Sequence, residues 1–200
     1  MDNFRIDALL LFSYLAGGIP TGYLVVKRLY GYDIRTRGSG NPGTANVYRN
    51  AGTLPGAITL FVDALKGFAP VYLGLRLYPG QNLFAIGLGA AAIIGHNWTP
   101  FLGFKGGKGV ATSAGVFSAL IPIPMMITVA AFLAAVKVSG HISVGSMTGA
   151  AVLPAAAALC GAPHSFTAAA AGAGAMVLVK HISNVKRLLE NREHGIHGPA

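Results

Sequence analysis

The stretch VATSAGVFSALIPIPMMITVAAFLAAVKV, Val110 to Val138, decides how many times the chain crosses a membrane. Its 29 almost wholly apolar residues would make one helix of about 43 Å at about 1.5 Å per residue, against a hydrocarbon core of about 30 Å. Pro122 and Pro124 stand in the middle, and each removes a backbone donor and disfavours helix just before it. The run therefore reads as two short helices. Charge supports the split. As one span it would put the basic C-terminus opposite the basic segments 27–53 and 103–109; as two spans it puts all three on one side, as the positive-inside rule favours.

Working outward, further apolar runs occur at Ile6–Tyr30, Leu54–Leu75, Leu83–Leu102, Ile142–Leu159 and Ser165–Val179. The first has neither a positive n-region nor a small-residue cleavage site, so it reads as a retained span. The expected fold class is all-α: one polytopic membrane domain over residues 1–200, with seven transmembrane helices, some short or broken. The N-terminus is expected outside and the C-terminus in the cytoplasm. Val110–Ile121 is short enough to be a half-span, a form that lines sites in polytopic proteins.

Composition agrees. Of the 200 residues 53% are hydrophobic and 10% charged, too few charges to coat a soluble surface. Disorder and a disulfide scaffold are disfavoured, the latter because Cys160 is alone. The formal net charge is +9. With seven helices, the inner face collects twelve cations against Asp33, Glu190 and Glu193, while Arg5 and Arg76 cancel Asp2 and Asp7 outside. Asp63 and Lys66 cancel within the second span, at a spacing suited to an ion pair that serves either function or bracing.

Three polar segments interrupt the helices. GSGNPGTANVYR, Gly38–Arg49, combines turning glycines with Ser39, Asn41, Thr44, Asn46 and Arg49, and reads as a cradle for an oxyanion. FKGGKG, Phe104–Gly109, alternates glycine with Lys105 and Lys108 at a predicted helix N-terminus, where free N–H groups favour an anion. It lacks the Ser or Thr that a P-loop needs after its Lys. KHISNVKRLLENRE, Lys180–Glu193, puts His181 and Asn184 on one helical face, with Lys186, Arg187 and Arg192 suited to lipid headgroups. Ser143 and Ser146 start the sixth helix on the same side, and capping alone needs only one of them. Trp98, beside His96, fits an aromatic belt.

Taken together and in this order, GSGN at Gly38–Asn41, GH followed by FKGGKG within Gly95–Gly109, and H-x-x-N-x-x-R-L at His181–Leu188 resemble the bacterial acyl phosphate:glycerol-3-phosphate acyltransferases, the PlsY family. The likeness covers nearly the whole chain. It implies a multi-pass enzyme of the bacterial inner membrane, with its active site at the cytoplasmic face. The implied reaction, the first acylation of phospholipid synthesis, moves a fatty acyl group from acyl phosphate to the 1-hydroxyl of sn-glycerol 3-phosphate, giving lysophosphatidic acid and phosphate. Acyl-CoA and acyl carrier protein are not implied as direct donors. By resemblance the phosphate-binding and catalytic positions are Ser39, Arg49, Lys108, Ser146, His181 and Asn184, with Gly40, Asn41, Lys105, Gly106 and Gly107 lining the phosphate site. Two departures are visible: Ala45 stands where the family commonly has Thr, and Asn191 where it has Gly.

The chemistry of the residues suits that reaction. Acyl phosphate is an activated anhydride, so the protein mainly has to hold two repelling phosphates together and stabilise the tetrahedral oxyanion. Lys108, Arg49, Ser39 and loop N–H groups are expected to grip phosphate, while His181, held by Asn184, accepts the hydroxyl proton; a substrate phosphate is the alternative base. An acyl-Ser39 intermediate is unneeded. No metal, cofactor or nucleic-acid partner is expected; the expected partners are the two substrates and membrane lipid, with the enzyme that forms acyl phosphate as a candidate. Two rival classes fit less well. The His-and-Asp acyltransferases need an Asp five residues after a His, which is absent, and an anion transporter needs polar groups on both sides, which the outer loops scarcely offer.

Overall fold

The computed structural model describes residues 3–196; Asp2, counted above on the outer side, lies outside them. Among the described residues the regular structure is helical: α1 Asn3–Gly18, α2 Thr21–Tyr30, α3 Thr44–Ala51, α4 Thr53–Leu77, α5 Asn82–Asn97, α6 Val110–Leu120, α7 Pro122–Ser139, α8 Ile142–Leu159, α9 His164–Lys180 and α10 Ile182–Leu189, with 3-10 turns at Ile34–Thr36 and Pro100–Leu102. The long apolar run divides where its prolines predict. Ile121 leaves the helical region, and Pro122 opens α7 at a position where a missing N–H costs nothing.

Chain contacts group these helices into two compact units, one up to Leu120 and one from Ile121. In the first, α1 packs on α5 and α4 on α6. Small residues let these backbones approach, as in membrane helix pairs. A Cβ at Gly95 would strike the Tyr14 carbonyl, and one at Gly115 the Ala64 carbonyl. Ser13 Oγ fastens α1 to α5 through the Leu88 carbonyl at 2.7 Å. In the second unit α8 packs between α7 and α9, with Gly145 against Val136 and Phe132 and Gly174 against Ala150.

By length and composition four helical segments can cross a membrane, or five if the bent pair α9 and α10 counts as one span; the bend between them is 49°. Phe4–Tyr30 counts as one of the four although α1 and α2 are separated at Ile19–Pro20. The run Ile6–Tyr30, expected as one unbroken span, is therefore two helices. Pro20 breaks it by the same rule that splits the run at Pro122. The expected third span, Leu83–Leu102, is α5 followed by a separate turn, because Pro100 disfavours helix just before it. Large apolar side chains such as Phe12, Phe61, Met126 and Leu133 are exposed, a surface suited to lipid.

Candidate active site

The first polar loop is organised from beneath by Asn46, which is buried on α3. Its amide nitrogen donates to the carbonyls of Ile34 (3.2 Å) and Arg37 (3.1 Å), and its oxygen accepts from Ser39 N and Asn50 Nδ2, each at 3.0 Å. Val26, Ile34 and Val47 form the apolar floor. Asn41 makes the next turn: its oxygen accepts from Gly43 N at 2.9 Å, and its amide reaches the Gly106 carbonyl at 3.4 Å. That bond joins the first polar loop to the second. Gly40, at φ +70°, donates its N–H to Arg37 O.

Nearby cations have assigned work. Arg35 forms a paired hydrogen bond to Asp33, with Nη2 to Oδ2 at 2.7 Å, and lies over the Tyr23 ring. The hydrogen bond from Arg35 holds the Asp33 carboxyl below its ordinary range despite partial burial. Arg37 stacks over Tyr32 at 4.0 Å. Arg49 projects from the last turn of α3, half-buried, and Ser39 is half-buried at the loop's crest.

The second loop is laid on the end of α5. Gly106 N donates to Asn97 O at 3.2 Å and Gly107 N to His96 O at 3.0 Å. Gly107 passes so close to the His96 ring that a Cβ would strike Nε2. Lys105 is exposed and Lys108 half-buried. The N–H groups of Ser39, Gly40, Gly43, Gly106 and Gly107 are thus all bonded within the protein, which differs from the expected backbone cradle. What these loops present from those positions is shape, and the charge comes from side chains.

In the second unit His181 sits at the α9–α10 bend, buried, with Nδ1 2.8 Å from the Val177 carbonyl. A carbonyl only accepts, so Nδ1 carries a proton, and the lone pair of the neutral form of this ring lies on Nε2. Asn184, the partner expected for this ring, donates from Nδ2 to Glu193 Oε1 at 2.6 Å. Arg187 Nε donates to the other oxygen of Glu193 at 2.7 Å. Burial works to raise the Glu193 carboxyl, but the hydrogen bonds from Asn184 and Arg187 outweigh it and hold the group below its ordinary range. In the sequence Glu193 is only a charge in the tail, because its spacing of nine from Asn184 follows no helical period. Ser146 is buried on α8, its hydroxyl donating back to Ile142 O at 2.9 Å. The geometry therefore joins Ser39, Gly40, Asn41 and Arg49 with Lys105–Lys108 in one unit, and His181, Asn184 and Ser146 belong to the other.

The family model for glycerol-3-phosphate acyltransferase matches residues 8–191. Glycerol-3-phosphate acyltransferase 2 of Moorella thermoacetica is 45% identical over 185 residues, covering 92% of this chain and 94% of that protein. The glycerol-3-phosphate acyltransferase of Trichlorobacter lovleyi is 45% identical over 183 residues, covering 90% and 92%. Two crystal structures of PlsY (YgiH), an integral membrane glycerol 3-phosphate acyltransferase, are similar across 96% of this chain and 95% of theirs. The glycerol 3-phosphate form gives a TM-score of 0.91 at 34% identity, and the lysophosphatidic acid form 0.88 at 32%. Likeness at this level runs through all three polar segments and the helices that carry them, and the chain belongs to the glycerol-3-phosphate acyltransferase family.

Proposed function

We propose that the protein transfers a fatty acyl group from acyl phosphate to the 1-hydroxyl of sn-glycerol 3-phosphate. The hydroxyl oxygen attacks the acyl carbon, the tetrahedral oxyanion collapses, the bond to phosphate oxygen breaks, and lysophosphatidic acid and phosphate leave. The observation that carries this reading is the junction of the two basic segments through Asn41 and Gly106, which brings the loop of Ser39, continued by α3 with Arg49, against the loop of Lys105 and Lys108. Arg and Lys side chains on rigid loops suit substrates that both carry phosphate. Gly40, Asn41, Gly106 and Gly107 shape that surface and hold its loops. The family likeness, with relatives in a glycerol 3-phosphate and a lysophosphatidic acid form, supports the same reading.

His181 accepts the hydroxyl proton on Nε2, with Asn184 and Ser146 serving the same step. No cofactor enters. The protein crosses the bacterial inner membrane seven times, with the N-terminus outside and the C-terminus and active site on the cytoplasmic side. Membrane lipid surrounds it, and the enzyme that makes acyl phosphate is a candidate partner.

The test is purified protein supplied with palmitoyl phosphate and glycerol 3-phosphate. Lysophosphatidic acid and phosphate are expected in equal amounts, with no product from palmitoyl-CoA; uptake of labelled glycerol 3-phosphate into vesicles without acylation overturns the reading. His181→Gln is expected to lower kcat by about 100-fold or more. Near-normal turnover across pH would instead assign the base to a substrate phosphate.

A further inference from the structure

Asp63 and Lys66 have no part in the reaction above, yet they form a buried ion pair on α4, Nζ to Oδ1 at 2.8 Å. Their surroundings join three parts of the first unit. Lys66 Nζ also donates to the Ile19 carbonyl at 2.9 Å, at the break that Pro20 makes between α1 and α2. Asp63 Oδ1 lies 3.9 Å from His96 Nδ1, at the end of α5. The Nε2 edge of that ring lies so close to Gly107 that a Cβ there would strike it, and the carbonyls of His96 and Asn97 receive the N–H groups of Gly107 and Gly106. One small cavity is lined by Asp63, Lys66, His96, Gly106, Gly107 and Pro42 among others, so the first polar loop closes over the same point.

We propose that Asp63, Lys66 and His96 form a brace that positions the Lys105–Lys108 loop, and so places Lys108; Asp63 and Lys66 are positioning residues. This rests on the reading of Lys108 as a phosphate ligand. Ion pairing between buried charges often does no more than offset their desolvation, so stability alone is a poor reason for charges here. Position is a better one. The carboxylate draws the imidazole toward α4, the imidazole sets how deeply Gly107 settles, and Lys108 follows Gly107 directly. The pair sums to zero, so the brace adds no net charge that would compete with the lysines for an anion.

The test compares wild type, Asp63→Asn, Lys108→Gln and their combination, each purified intact in detergent and scored for Tm, kcat and the KM of each substrate. Asp63→Asn is expected to raise, about tenfold, the same KM that Lys108→Gln raises, and to add little once Lys108 is replaced. Asp63→Glu recovers part of the loss. A lower Tm with both KM values unchanged, or an equal effect with and without Lys108, overturns the brace. If Asp63→Asn does not fold, Asp63→Asn with Lys66→Met leaves neither charge unpaired and carries the same expectation. Failure of the acyl-transfer reading shows separately, as wild type inert toward acyl phosphate. The brace is then scored by the Tm rise that glycerol 3-phosphate produces, which Asp63→Asn weakens only while Lys108 is present; a rise unchanged by Asp63→Asn overturns it.

Discussion

The two units hold their polar groups by different means. In the first, a neutral amide does the organising: Asn46 makes four hydrogen bonds, two to backbone carbonyls, one to a backbone N–H and one to a side chain. In the second, an ionised carboxylate does it, with Glu193 taking up Asn184 and Arg187 together. The contrast follows from what each unit presents. On the proposed reading, segments that offer Arg49, Lys105 and Lys108 to phosphate would lose field if an unpaired acid sat among them, whereas the His181 segment, rich in its own cations, tolerates one. The first unit's acids near those loops are correspondingly neutralised, Asp33 by Arg35 and Asp63 by Lys66.

The largest effect on this contrast is expected from Asn46→Ala. It strands the Ser39 N–H, worth about 1–3 kcal/mol when left unmet, and takes one of the two hydrogen bonds from each of the Ile34 and Arg37 carbonyls, so a fall in Tm of several degrees and a loss of turnover should follow together. Thermal unfolding and an activity assay check it; an unchanged Tm would mean that the loop is held elsewhere. A smaller, pH-dependent effect is expected from Glu193→Gln. The folded carboxyl titrates below its ordinary value, so its contribution is complete above the usual carboxylate range and disappears as pH falls through the lowered value. Glu193→Gln should therefore be less stable than wild type at neutral pH, and the two should converge in acid. A Tm difference that does not vary with pH would assign Glu193 a packing role.

Much of the fold could be read because prolines act locally. Pro122 ended one helix and began another as its chemistry dictates, and Pro20 did the same in a run whose length had already fitted one span. The site was legible in part. Clusters of Gly, Ser, Asn and Lys marked the right loops, but the same residues serve whether N–H groups face a ligand or the chain itself. Only the fold shows that Asn97 and His96 claim the N–H groups of Gly106 and Gly107. Glu193 was missed because the chain turns back after α10 to bring it to Asn184, a contact with no sequence period. The i,i+3 spacing revealed the Asp63–Lys66 pair, whereas its tie to Ile19, 47 residues away, depends on packing.

The central claim is that phosphate is gripped by side chains on these loops, and by Lys108 above all. Equilibrium binding of labelled glycerol 3-phosphate and of a non-hydrolysable acyl phosphonate to wild type and to Lys108→Gln tests it directly. Affinity for at least one of the two is expected to fall by about tenfold or more, as for the loss of a charged hydrogen bond. Unchanged binding of both would contradict the account.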